Sequence, residues 1–171
     1  AYPNGDVVHY LDAMGVTATV KNAGRFAMRW PGHCAFWYAL AQSGFLDPAP
    51  ISVGSASVVP REFVRSLLEP QLQYADDERD VAVIRVDVRG IKNGRRRRLL
   101  CQVVDLRDLT SGLLAMNRTV GYTASIGAQM ILRGDIQKRG LLSPLTDIPT
   151  DIFFTELRER GITMQREEGA W

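Results

Sequence analysis

The stretch VAVIRVDVRGIKNGRRRRLLCQVVDL, Val81 to Leu106, decides the fold. Both arms alternate and carry the β-branched residues of strands, and the Asn-Gly pair within IKNG marks a hairpin between them. On the first arm Ile84, Val86 and Val88 point one way while Arg85, Asp87 and Arg89 point the other, which gives a core face and a polar face. A sheet covered by helices on one side follows.

Downstream, NRTVGYTASIGAQMILRG, Asn117 to Gly134, has helical length and closes on Arg133-Gly134, a cation at the helix C-terminus followed by a glycine cap. Within it Gly121, Ala124, Gly127 and Ala128 form a small-residue stripe that lets another backbone approach. TDIFFTELRERG, Thr150 to Gly161, reads as a further helix anchored by Phe153, Phe154 and Leu157, with Thr150 as a candidate N-cap. Upstream, PREFVRSLLEP predicts a helix from Pro60 with Phe63, Leu67 and Leu68 on one face. HCAFWYALAQSG, His33 to Gly44, predicts a largely buried helix, and GVTATVK (Gly15 to Lys21) and RFAMRW (Arg25 to Trp30) predict short strands. The expected architecture is a single α+β domain over residues 1–171, with a mixed, largely antiparallel sheet and helices mainly on one face.

With 171 residues, 46% apolar and 23% charged, the chain can bury one core without disulfides or metals. Cys34 and Cys101 lie far apart and outside any C-x-x-C spacing, which argues against a zinc site or a disulfide framework. No apolar run reaches membrane-spanning length, and AYPNGDVVHY lacks the layout of a signal peptide, so the expectation is a soluble, cytoplasmic protein without membrane contact. The net charge of +2 names no partner. No glycine-rich phosphate cradle follows any predicted strand, so a nucleotide has no recognisable site of its own here.

Several residues have types suited to chemistry, each with a structural alternative. Asp105 and Asp108 in DLRDLTSG sit where a strand ends, and paired carboxylates serve as acid and base, although Asp and Ser also build turns and caps. Arg118 and Thr119 lie near a helix start, where backbone N–H groups and an arginine fork suit a carboxylate; a solvated or ion-paired arginine is the other reading. His33, after Pro31-Gly32 at a helix start, is either a proton shuttle or a neutral hydrogen-bonding histidine. The run Arg95 to Arg98 invites a nucleic-acid reading. Its alternation between strand faces, the lack of an aromatic platform and the acidic stretch Asp76 to Asp80 argue against one.

Three motifs occur in order: RWPGH at Arg29 to His33, VVDLRDLTSGLLAMNRTVGYTASIGAQMILRGDI ending at Ile136, and FFTELRERGI ending at Ile162. Together they resemble the C-terminal half of saccharopine-dehydrogenase-like proteins, whose pattern includes R-Y/W-P-G-H, D-x-x-D-x-x-T/S-G followed by A-M-x-R-T-x-G, and a closing F-x-x-L-x-x-R-G-I. Val120 stands where the second threonine of R-T-T-G is common, and an arginine-rich strand replaces a plainer hairpin.

The resemblance implies an α+β domain that forms much of the substrate site and the homodimer contact. It implies NAD or NADP bound mainly by an N-terminal Rossmann domain absent from this chain, and oxidation of a C–N bond of an amino-acid substrate by hydride transfer. Within the matched motifs, Arg118 with Thr119, or Arg29, has the chemistry to bind the substrate carboxylate, and Asp105 or His33 the chemistry to handle amine protons. A non-catalytic dimerisation or binding module is the competing reading, and RNA binding through Arg95 to Arg98 a further one.

Overall fold

A computed structural model describes all 171 residues. It shows an α+β chain of five helices and three small sheets, in which every strand pairing is antiparallel. The chain divides into two compact units, residues 1–74 and 75–171.

The first unit holds β1 (Tyr2–Pro3), α1 (Val8–Ala13), β2 (Phe26–Ala27), α2 (His33–Gln42), β3 (Ile51–Val53), β4 (Ala56–Val58) and α3 (Pro60–Leu68), which runs on into a 3-10 turn, Glu69–Gln71. Here several sequence expectations need correction. Gly15 to Lys21 is a chain of turns, because Thr17 donates its hydroxyl to Asp12 at 2.5 Å and Thr19 to the Val16 carbonyl at 2.9 Å. Short hydroxyl side chains compete with a strand ladder in this way. Only Phe26–Ala27 of the second expected strand pairs, with Tyr2–Pro3.

The helix from His33 to Gln42 forms as expected but has no buried residue; Tyr38 is 67% exposed. On α3 the buried side chains are Pro60 and Val64, while Phe63 and Leu67 are half exposed. The β3–β4 hairpin, turning at Gly54 with φ +61, and helix α1 have no counterpart in the sequence reading.

The second unit is built on the expected hairpin: β5 (Val81–Lys92) and β6 (Arg95–Leu106) pair along their full length, and Asn93 (φ 53) with Gly94 (φ 71) closes a two-residue turn. Positive φ at both turn residues gives the right-handed twist the strands need. The outer edge of β6 accepts β7 (Gln165–Gly169), a wholly exposed and polar strand that hydrophobic patterning does not reveal.

Helix α4 (Ala115–Arg133) ends on Gly134 in the left-handed region, as expected. It crosses the face of the hairpin that carries Ala82 and Val103. Ile126 and Met130 of α4, with Ile136, Leu157 and Ile162, form the core cluster, and Val103, Tyr122, Phe153 and Phe154 lie against it. Ile126 and Met130 are wholly buried, worth about 1.5–3 kcal/mol each in apolar transfer. Leu157 comes from α5 (Thr150–Glu159). There Thr150 is the first helical residue and Pro149 the cap, with no side-chain cap bond, so the expected threonine cap is not formed.

Two further expectations change. Only Ala82 is buried on β5, while Ile84, Val86 and Val88 are about half exposed, so the core face is covered only near its base. Nothing lies within 4 Å of a Cβ built on Gly121 or Gly127, so no backbone of this chain packs against the small-residue stripe at these two positions.

Candidate functional site

The R-T-x-G block, Arg118 to Gly121, begins one turn into α4, at the base of the hairpin. The helix start is capped from a distance: Asp80, at the end of the acidic stretch, accepts the Ala115 N–H at 2.7 Å and the Met116 N–H at 3.3 Å. Asp80 is itself buried. The anion that a helix N-terminus attracts is therefore supplied by the chain, and these two donors are taken. Arg107 fixes the approach by donating to the Ala75 and Glu78 carbonyls at 2.7 and 3.0 Å.

One turn into the helix, Arg118 points back to β6. Its Nε donates to Asp105 Oδ2 at 2.9 Å and its Nη2 reaches Oδ1 at 3.4 Å, the fork geometry that suits a carboxylate. Nη2 also donates to the Arg160 carbonyl at 3.2 Å, and the guanidinium lies 5.5 Å from the Tyr122 ring centre. Both ion-pair partners are about nine-tenths buried. Hydrogen bonding to Asp105 raises the Arg118 pKa, so the guanidinium stays charged. Gly161, at φ +77, carries the chain past Arg118 Nη2 after α5 ends.

Of the two candidate carboxylates, Asp105 is thus committed to Arg118, while Asp108 organises the following turn. It accepts the Thr110 N–H at 3.0 Å and the Ser111 hydroxyl at 2.7 Å, and stands 3.8 Å from Arg118 Nη1. The Ser111 hydroxyl, then the Thr110 N–H, lower the Asp108 pKa, which removes it as a proton donor near neutrality. Thr119 donates its hydroxyl to the Ala115 carbonyl at 2.9 Å within α4 and is buried. Asp105, Arg118 and Thr119 therefore come together, tied by bonds within the chain.

Arg29 and His33 belong to the first unit and flank the turn that starts α2. The His33 N–H bonds the Trp30 carbonyl at 3.2 Å across Pro31-Gly32, and Gly32 takes φ +87, a conformation that suits glycine. Both side chains are exposed and neither meets a carboxylate. Arg29 donates to its neighbour's carbonyl at Met28 (2.7 Å) and lies 5.8 Å from the Tyr2 ring centre, and the His33 ring is 6.2 Å from that of Trp37. A cation and an imidazole on either side of a tight turn can bind an anion and exchange a proton. No three His, Cys, Asp or Glu side chains gather into a metal-binding group. No helix is long and apolar enough to cross a membrane.

The sequence reading missed Asp80 and Arg107. The D-x-x-D spacing drew attention to Asp105 and Asp108 instead, and nothing local signals a cap reaching across 35 residues.

Residues 1–162 match the family model described as saccharopine dehydrogenase C-terminal domain. Saccharopine dehydrogenase (NADP+, L-glutamate-forming) of Saccharomyces cerevisiae is 31% identical over 119 residues, which is 66% of this chain and 26% of that protein. The mitochondrial alpha-aminoadipic semialdehyde synthase of Mus musculus is 35% identical over 102 residues, 58% of this chain and 11% of that protein. Among solved structures, an apo histidine-tagged saccharopine dehydrogenase (L-Glu forming) from Saccharomyces cerevisiae aligns with a TM-score of 0.56 and 25% identity, over 84% of this chain and 32% of that one. The matched region spans about a quarter or less of these two curated relatives.

Proposed function

The chain belongs to the saccharopine dehydrogenase C-terminal domain family, and from that premise we propose that it forms the substrate-binding and dimerisation part of an NAD(P)-dependent oxidoreductase that oxidises a C–N bond of an amino acid. The nicotinamide nucleotide is held mainly by a Rossmann domain outside these residues and supplies the hydride acceptor. The observation that carries this reading is the Arg29–His33 turn, where an arginine and a histidine stand exposed and free of carboxylates within a family motif. Arg29 is the anchor for the substrate carboxylate, and His33 takes up a proton from the amine. Asp105, Arg118 and Thr119 are structural residues of the second unit, since their polar atoms already hold the start of α4 to β6.

The test uses the polypeptide carrying this chain together with its nucleotide-binding partner, a panel of amino acids including saccharopine, and reduced nicotinamide absorbance. At least one member of the panel should support turnover. Arg29→Ala should raise KM for it about tenfold or more, as loss of a charge-assisted contact does, and His33→Ala should lower kcat and alter its pH profile. No reduction with any amino acid, or unchanged kinetics in both variants, would sink the reading.

Dimerisation is the second part of the proposal. The hairpin face opposite α4 leaves Val81, Val83, Val104 and Leu106 between 39% and 53% exposed, an apolar stripe suited to the same stripe of a second copy. Light scattering should give twice the chain mass, and Val104→Asp should give one. A wild-type monomer at high concentration overturns this part.

A further inference from the structure

At the far end of the hairpin from Arg118, the two faces of the tip are treated differently. On one face Arg89 and Arg98 are register partners, an arrangement of like charges that costs energy, and the chain relieves it with Asp87. That carboxylate accepts from both guanidiniums, at 3.0 Å from Arg89 Nη2 and 2.7 Å from Arg98 Nη2. Arg96, also on this face, lies 5.1 Å from the Trp171 ring centre.

On the opposite face Lys92 and Arg95 are direct register partners and Arg97 follows two residues along. No carboxylate lies within ion-pair reach of any of the three. Arg166, their nearest cationic neighbour on β7, is already paired with Glu168. These side chains line a groove of about 630 Å³ whose floor includes Val88 and Leu99. That volume lies within the usual range of small-molecule sites.

We propose that this groove binds a small polyphosphate-bearing ligand of nucleotide size, its phosphates between Lys92, Arg95 and Arg97 and its apolar body over Val88 and Leu99. The unrelieved repulsion across the Lys92–Arg95 pair is what an external anion removes, as Asp87 removes it on the other face. A small ligand is favoured over a nucleic-acid strand because the basic surface is short: Glu168 borders it on β7, so a longer phosphate backbone would run onto like charge. The groove lies about 30 Å along the strands from Asp105, so it is separate from the block around Arg118.

The test is titration of the protein, free of divalent metal, with inorganic tripolyphosphate, adenosine triphosphate, adenosine, a fifteen-residue oligo-dT and an acidic peptide. Adenosine triphosphate should bind saturably below millimolar, at least fivefold more tightly than tripolyphosphate, with adenosine alone silent, and the Val88 and Leu99 methyl resonances should shift. Arg95→Gln with Arg97→Gln should weaken binding at least tenfold while leaving the unliganded melting temperature unchanged or raised, since repulsion is relieved. Arg97→Gln alone, opposite Gly90, gives the same reading should the double variant fold poorly. Arg158→Gln on exposed α5 surface should change nothing. The proposal is overturned by absence of saturable binding, by equal affinity in the Arg95/Arg97 variants, or by tighter binding of oligo-dT or the acidic peptide to the same residues.

Discussion

At the base of the β5–β6 hairpin Ala82 is buried, Asp105 meets Arg118, and Asp80 closes the start of α4; at the tip of the same strands Val88 and Ile91 are 54% and 77% exposed and Lys92 faces Arg95. The sequence alternates in the same way through both regions. What differs is the neighbour across the sheet, because α4 and the core around Ile126 and Met130 cover one end only. Charge at the base is consumed by bonds inside the chain. Charge at the tip is partly offset by Asp87 on one face and left free on the other.

The largest expected effect breaks the base. Asp105→Ala leaves the Arg118 guanidinium buried without its carboxylate and should cost about 3 kcal/mol in urea unfolding, the low end for a broken buried pair because the two groups lie close to the surface. Replacing both partners, Asp105→Leu with Arg118→Met, should recover much of that loss, since no uncompensated charge remains. A loss below about 1 kcal/mol for Asp105→Ala would mean that the pair behaves like the exposed ones at the tip.

Asp80→Ala comes next. It deprives two backbone N–H groups of their acceptor and should cost about 1–2 kcal/mol, with faster amide exchange confined to Ala115 and Met116 at the head of α4. Exchange accelerating evenly along the helix would count against a local cap.

These two residues also mark where the sequence could and could not be read. The hairpin was legible because Asn93-Gly94 and β-branched alternation are local signals, and α4 because Gly134 ends it. Strand β7 was not, since Gln165 to Gly169 is polar throughout and pairs only because β6 offers a free edge. The turns at Thr17 and Thr19 carry no such signal, because alternation of small and β-branched residues fits a strand until hydroxyl bonding is considered. For the site, the motifs drew attention to Arg118 and Thr119, which the fold brings together with Asp105 near the start of α4. Whether Arg118 is free or bound depends on Asp105, thirteen residues away, and on a carbonyl from Arg160, neither of which spacing reveals.

Helix α4 is what makes base and tip unlike. Gly127→Ala meets open space and lies in ordinary helical backbone, so it should stabilise the protein by about 0.5–1 kcal/mol through helix propensity. Destabilisation instead, with an altered mass in light scattering, would show that a second copy approaches this stripe.

The smallest expected effect belongs to the tip. Arg98 and then Arg89, by hydrogen bonding, hold the Asp87 carboxyl well below the usual carboxylate range. An unfolded aspartate titrates near 3.9, so the folded state binds this proton more weakly than the unfolded state does. Its contribution is therefore complete above about pH 5 and is lost progressively as the pH falls below about 4 towards the folded value. Asp87 and its partners are partly exposed to solvent, so the change should be slight. Asp87→Asn should flatten the acid limb of the urea midpoint against pH while leaving the midpoint at pH 7 only a little lower. It should also speed amide exchange near Gly90 without reaching Ala82, because the tip loosens while the base keeps its own ion pair. An acid limb as steep in Asp87→Asn as in the parent would place the pH sensitivity elsewhere, and exchange quickening at Ala82 would show that base and tip unfold as one.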